Sequence, residues 1–126
     1  MQIKIYYHHT DCGGVVYYAK YLEFLEEART EFLGEKGISV KELSDKGVLF
    51  VVARQEIDYK CPAVYGDTLS INACLAEVGK VKLIFTNEIK NQKGQLICAA
   101  KTVMVCVSRE LRPQAIPEEI LNKLSA

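Results

Sequence analysis

Apolar and polar positions alternate, then cycle, then alternate again along the chain. Ile3 and Ile5 sit between polar neighbours, so the first residues read as a short strand ending near Tyr7. From about Tyr17 to Gly34 the period changes. Leu22, Leu25, Ala28 and Phe32 recur at helical spacing, and the stretch carries no internal Pro or Gly. Glu23, Glu26, Glu27 and Arg29 mark its wetter side, and Gly34 is the expected stop. A second, short helix follows, with Ser39 as its cap, Glu42 three residues on and Gly47 at its end.

Beyond Gly47 the pattern is that of strands. Val48 to Tyr59 is rich in β-branched and aromatic residues, and Pro62 and Gly66 break it. Leu69, Ile71, Ala73 and Leu75 alternate as one strand, and Val81, Leu83 and Phe85 as the next, with Gly79 between them. Asn91 to Gln95 is a turn. Leu96 to Val107 is apolar on both alternating sets, broken only by Lys101 and Thr102, so both of its faces should be covered, one of them by a partner subunit. Pro117 to Leu124 reads as a terminal helix. The expected architecture is α+β: five antiparallel strands packed on one principal helix.

Length and charge narrow the function. The 126 residues suit a single domain, residues 1–126, with a real core. Lys plus Arg equals Asp plus Glu at 16 each, which argues against general nucleic-acid binding. No apolar run approaches the roughly 18 residues of a membrane span. The N-terminal MQIKIYYHHT lacks the apolar core of a signal peptide. Five cysteines, none in a C-x-x-C pair, read as reduced thiols, and the expected location is the cytoplasm.

The chemistry concentrates in YYHHTDCGGVVYYAKYLEF, Tyr6 to Phe24, which holds both histidines, Asp11, Cys12 and a Gly-Gly pair just before the long helix. Three readings compete. A zinc site would use His8, His9, Asp11 and Cys12, but neighbours on a strand point to opposite faces and a further well-placed His or Cys is missing. Cys12 could be a nucleophile with His9 as base, yet nothing orients the pair. Asp11 could be a working carboxylate or only a cap on the turn or helix.

The run TDCGGVVYYAKYLEFLEEARTEFL, Thr10 to Leu33, resembles the acyl-CoA thioesterases of hotdog fold, in particular the 4-hydroxybenzoyl-CoA thioesterase and YbgC-type branch. Members show T-D-x-x-G-V-V-Y-(H or Y)-x-N-Y leading into a helix of the E-x-A-R-x-E type. IDYKCPAVYGDTL, Ile57 to Leu69, is similar to their Y-x-x-P-A-x-x-x-D segment, and RPQAIPEEI, Arg112 to Ile120, to their C-terminal finish. The resemblance implies a hotdog fold, an antiparallel five-stranded sheet wrapped around one long central helix. It implies hydrolysis of a small or medium acyl-CoA, short-chain or aromatic, with no cofactor and no metal. It assigns the catalytic carboxylate to Asp11 and carbonyl polarisation to the helix start around Tyr18. Tyr18 stands where YbgC-like members often carry His, and Lys20 where Asn is usual, so the role implied at position 18 is a backbone one.

That chemistry is physically reasonable here. Thioester hydrolysis needs an activated nucleophile and an oxyanion donor. Asp11 can attack directly or hold a water, and the free N–H groups of a helix start carry partial positive charge. Gly13 and Gly14 allow close backbone approach to substrate, and Tyr17 is a candidate wall of the acyl site within an aromatic cluster of Tyr17, Tyr18, Tyr21 and Phe24. Coenzyme A needs basic contacts. The resemblance implies Lys80 with Arg109 or Arg112 as the phosphate ligands, ahead of Lys82, Lys90 and Lys93, although turn lysines also serve solubility alone. The expected assembly is a homodimer or a dimer of dimers, with the site at the subunit interface. A non-catalytic acyl-CoA binding module and an acyl-thioester hydratase or dehydratase are the alternatives. The latter usually pairs a His with the carboxylate.

Overall fold

The computed structural model describes residues 1–125. In chain order it has strand β1 (Gln2–Lys4), a 3₁₀ turn (Tyr7–His9), helix α1 (Lys20–Glu35), helix α2 (Val40–Asp45), strands β2 (Leu49–Tyr59), β3 (Thr68–Ile71), β4 (Cys74–Val78), β5 (Lys82–Lys90) and β6 (Leu96–Val107), and helix α3 (Glu118–Ser125). All strand pairs are antiparallel, in the order β1-β3-β5-β6-β2, with β4 also pairing β5. The helix-on-sheet architecture is the expected one.

The sheet has six strands rather than five. The single strand expected from Leu69 to Leu75 is interrupted at Asn72, whose side chain stands in for backbone: its Oδ1 accepts the Glu88 N–H at 2.6 Å, and its carbonyl accepts the Asn87 amide at 2.7 Å. The strand bends there, and both halves pair with β5, through Ile71–Ile89 on one side and Cys74–Thr86 on the other.

The helix crosses the sheet lengthwise and divides the core in two. Near its start, Tyr21, Phe24, Leu25 and Ala28 pack with Ile5, Leu69, Ile71, Ile89, Ile97 and Cys98. Near its end, Leu33 packs with Leu83, Phe85, Cys106 and residues of α2 and α3. Alternate residues of β5 explain this: Leu83, Phe85, Asn87 and Ile89 face inward and are buried, while Lys82, Thr86 and Glu88 face out.

Three boundaries differ from the pattern. The first strand stops at Lys4, because the chain coils into the 3₁₀ turn. Helix α1 begins at Lys20 rather than Tyr17; ahead of it the Lys20 N–H closes a tighter turn on the Tyr17 carbonyl at 2.9 Å, and the Tyr17 N–H bonds the His9 carbonyl at 2.9 Å. Gly34 lies inside the last turn, and the Ile38 N–H closes the end by returning to the Leu33 carbonyl at 2.9 Å. Arg29, placed on the wet side by its charge, is 6% exposed, while Leu22, placed in the apolar stripe, is 40% exposed. The helix presents the face one residue further round. Arg29 Nη1 reaches Thr102 Oγ1 at a long 3.5 Å, and Thr102 in turn donates to Gln55 Oε1 at 2.8 Å. Burial lowers the Arg29 pKa, opposed by Glu26. The α2 cap is as expected, with Ser39 Oγ accepting the Glu42 N–H at 3.2 Å.

Candidate active site

Asp11 sits at the tip of a tight loop. The Thr10–Val16 bridge closes the loop, the Asp11 N–H donates to the Val15 carbonyl at 2.9 Å, and the Gly14 N–H donates to the Asp11 carbonyl at 3.1 Å. The Gly13 N–H donates to Asp11 Oδ1 at 2.8 Å, which orients the carboxylate and leaves the second oxygen free among the described residues. The two glycines constrain the loop differently. A Cβ at Gly13 would lie 3.2 Å from Asp11 Oδ1, and Gly14 adopts φ +82°. The side chain of Asp11 is exposed.

The loop is fixed to the rest of the fold at its outgoing arm. Val15 bridges Val64, and the Val16 N–H donates to the Ala63 carbonyl at 2.8 Å. The chain then reaches the helix start. The Tyr17 N–H is taken by His9, and the Lys20 N–H by the Tyr17 carbonyl. The Tyr18 and Ala19 N–H groups between them find no acceptor among the described residues. They are donors at the positive end of a 16-residue helix.

Beside these amides lies a cleft of about 260 Å³, walled by Val15, Tyr18, Tyr21, Tyr59, Cys61 and Pro62. Tyr59 was not a candidate from the sequence. It ends β2, and its hydroxyl donates to the Tyr18 carbonyl at 3.2 Å, so it braces the helix start. Tyr59 opens the Tyr59–Asp67 motif, which marks the residue, but only the strand register sets it against Tyr18. Tyr17, the expected wall, is 44% exposed, lies tilted against the Tyr18 ring with centroids 4.9 Å apart and does not line the cleft. Burial, foremost, pushes the Tyr21 phenol up to about 12. Burial likewise pushes the Cys98 thiol up to about 12, so that thiol stays protonated and is a poor nucleophile.

The histidines are not on a strand, so the argument that they point to opposite faces does not apply. They lie in the 3₁₀ turn with ring centroids 4.1 Å apart. No group of three or more His, Cys, Asp or Glu side chains could hold a metal among the described residues. His9 Nδ1 instead accepts the Tyr6 N–H at 2.9 Å.

Lys80, Arg109 and Arg112 all lie at the end of the sheet where β6 closes. The Lys80 carbonyl accepts the Ile116 N–H, the Arg112 carbonyl accepts the Ser108 N–H, and Val107 bridges Pro113. Arg109 Nη2 donates to the Asp45 carbonyl at the end of α2. That end is far from Asp11 within one chain. Tyr59 pairs with Cys98 and Leu49 with Val107, and nine residues of strand span about 30 Å.

An antiparallel sheet wrapped on one lengthwise helix, with a carboxylate loop at the helix start and an aromatic cleft beside it, defines a hotdog-type hydrolase. The chain belongs to the thioesterase-like superfamily, whose family model matches residues 7–124, and it is a thioester hydrolase. It is 37% identical over 120 residues to the acyl-CoA thioester hydrolase YbgC of Escherichia coli O6:H1, covering 94% of this chain and 90% of that protein. Among solved structures, it is similar to a hypothetical protein from Thermus thermophilus, with TM-score 0.93, 31% identity and coverage of 99% and 95% of the two chains. A gentisyl-coenzyme A thioesterase has TM-score 0.89 at 25% identity, covering 96% and 98%. No helix among the described residues is long and apolar enough to cross a membrane.

Proposed function

We propose that the chain hydrolyses acyl-CoA thioesters carrying a short or aromatic acyl group. Asp11 is the reacting carboxylate and the Tyr18 N–H the oxyanion donor. One observation carries this reading: an exposed carboxylate, oriented by the Gly13 N–H, sits in the loop that leads into two unpaired amides at a helix start. In one route Asp11 attacks the thioester carbonyl and forms an anhydride that water then opens. In the other it takes a proton from water as the hydroxide attacks. Both collect negative charge on the same carbonyl oxygen, where one preorganised donor is worth roughly 3 kcal/mol. Collapse of that adduct breaks the C–S bond and expels the thiolate, which in the first route yields the anhydride before water opens it.

The cleft of about 260 Å³ supports a small acyl group. It falls below the roughly 300–1,000 Å³ usual for drug-sized ligands, and its tyrosine rings suit an aromatic one. Gly14 and Tyr17 flank the loop and the helix start on the path a substrate would take. A panel of acyl-CoAs with free-thiol detection tests the reading. Acetyl- or benzoyl-type thioesters should turn over well and long-chain ones poorly. Efficient hydrolysis of long chains alone would contradict it.

We further propose that the enzyme is a single domain working as a homodimer or dimer of dimers. Strand β2 is an 11-residue edge with Val51 and Val52 exposed, the kind of edge a second copy covers. Pairing β2 with its copy about a two-fold axis sets the Leu49 end of one chain beside the Tyr59 end of the other. Lys80, Arg109 and Arg112 of one subunit then approach the Asp11 site of its partner, and they supply the phosphate contacts that one chain cannot. A groove of about 660 Å³ along Gln55–Asp58 and Ala99–Lys101 lies on the same side. A monomer by light scattering at micromolar concentration would count against this. The five unpaired cysteines support a cytoplasmic location.

A further inference from the structure

We infer that His9 is a positioning residue for the hydrolytic site, and that only its neutral imidazole holds the Asp11 loop in register with the helix start. The inference rests on the reading of Asp11 and the Tyr18 amide given above. His9 touches both arms of the loop. On the incoming arm, the Tyr6 N–H donates to its Nδ1 at 2.9 Å while its own N–H donates back to the Tyr6 carbonyl at 3.1 Å. These two bonds close the 3₁₀ turn as a reciprocal clasp. The Thr10 hydroxyl and N–H both donate to the Tyr7 carbonyl, at 2.6 and 3.0 Å, which carries the clasp to the residue before Asp11. On the outgoing arm, the His9 carbonyl accepts the Tyr17 N–H at 2.9 Å, one residue before the free Tyr18 amide. The His9 ring also meets the Phe24 ring edge to face at 5.5 Å, which ties the turn to the first turns of α1.

The clasp works in one protonation state. A ring nitrogen that accepts an N–H carries no proton, so His9 must be neutral with its hydrogen on Nε2. Protonation would place a second donor against the Tyr6 N–H, break the clasp and release the incoming arm. The surroundings favour the neutral form. Partial burial, the neighbouring His8 ring and Lys20 lower the His9 pKa, and Glu23 opposes them. Within the turn, Tyr6 and His8 are the titratable neighbours; from α1 the facing groups are Lys20 and Glu23. The folded-state pKa lies below the unfolded value of 6.5. This contribution to stability is therefore whole above about 6.5 and is lost as the pH falls from there through the folded pKa.

The consequence is an acid limb in turnover that belongs to a residue outside the reaction. It is tested by kcat and KM as functions of pH for wild type, His9→Ala, His9→Gln and Asp11→Asn, with the His9 ring followed by nitrogen NMR. Gln at this position keeps a neutral acceptor for the Tyr6 N–H and cannot titrate. In wild type, kcat should fall on acidification with the same midpoint as the ring, below 6.5, and Nδ1 should be unprotonated at neutral pH. His9→Ala should lose roughly tenfold in kcat with KM within about twofold, since a misplaced reacting group costs rate more than binding. His9→Gln should restore neutral-pH kcat to within about twofold and lack the limb that tracks the ring. Wild-type turnover in His9→Ala, an unchanged acid limb in His9→Gln, or a protonated Nδ1 at neutral pH would overturn the inference. Full activity in Asp11→Asn would instead sink the reading beneath it.

Discussion

The two ends of helix α1 are built from the same backbone and finished in opposite ways. At the far end, the chain returns through Ile38 to bond Leu33, Phe32 meets Phe85 edge to face at 5.6 Å, and α2 and α3 close over the core. At the near end, the Tyr18 and Ala19 amides face no protein acceptor, and Tyr17, Tyr18 and Tyr59 remain 44%, 60% and 46% exposed. The first amides of any helix lack intrahelical acceptors, and at the near end solvent meets them. The far end holds the protein together. The near end leaves its amides and rings open to solvent, with the Asp11 carboxylate oriented by the Gly13 N–H.

This contrast can be broken from either side. Phe85→Ala removes a fully buried ring at the far end and should cost about 3–5 kcal/mol of stability, read by denaturant unfolding. Turnover well below its lowered Tm should stay near wild type, and a large loss in kcat there would join two regions held here to be separate. Ser39→Ala deletes the α2 cap and should cost ~1 kcal/mol, again without effect on kcat. Lys80→Ala or Arg112→Ala should raise KM for acyl-CoA about fivefold, the worth of roughly 1 kcal/mol in an exposed charged contact, and leave kcat alone. A truncated thioester lacking the nucleotide should not respond; an equal response from both substrates would place the phosphate contacts elsewhere. Smallest of all, Tyr18→Phe should change kcat by less than about twofold, because the proposed donor is the backbone N–H.

Much of this was legible in the residues, and the gaps have physical causes. Element order followed from periodicity, and the Ser39–Glu42 spacing located α2, because capping is a local interaction. Asp11 stood out through its motif. The break at Asn72 did not, since a side chain that imitates backbone leaves the apolar alternation intact. The histidine turn was read as strand because its clasp depends on which ring nitrogen accepts. Arg29 was placed outside by its charge, and only the packing of α1 against Thr102 turns it inward. Tyr59 required the pairing of β2 with β6 before it could be set against Tyr18. The basic residues illustrate the same limit: their spacing does not show that Lys80, Arg109 and Arg112 lie at the Val107 end of β6, about 30 Å of strand from the Cys98 end beside Tyr59.

The central claim is that the carboxylate of Asp11 performs the chemistry while the fold around it stands unchanged. Single-turnover and steady-state hydrolysis of a good acyl-CoA by Asp11→Asn, with Tm measured on the same preparation, tests it most directly. The account predicts a fall in kcat of at least roughly 10²-fold, a KM close to wild type and an unaltered Tm. Near-normal turnover in a folded Asp11→Asn protein, or loss of wild-type activity on treatment with EDTA, would contradict it.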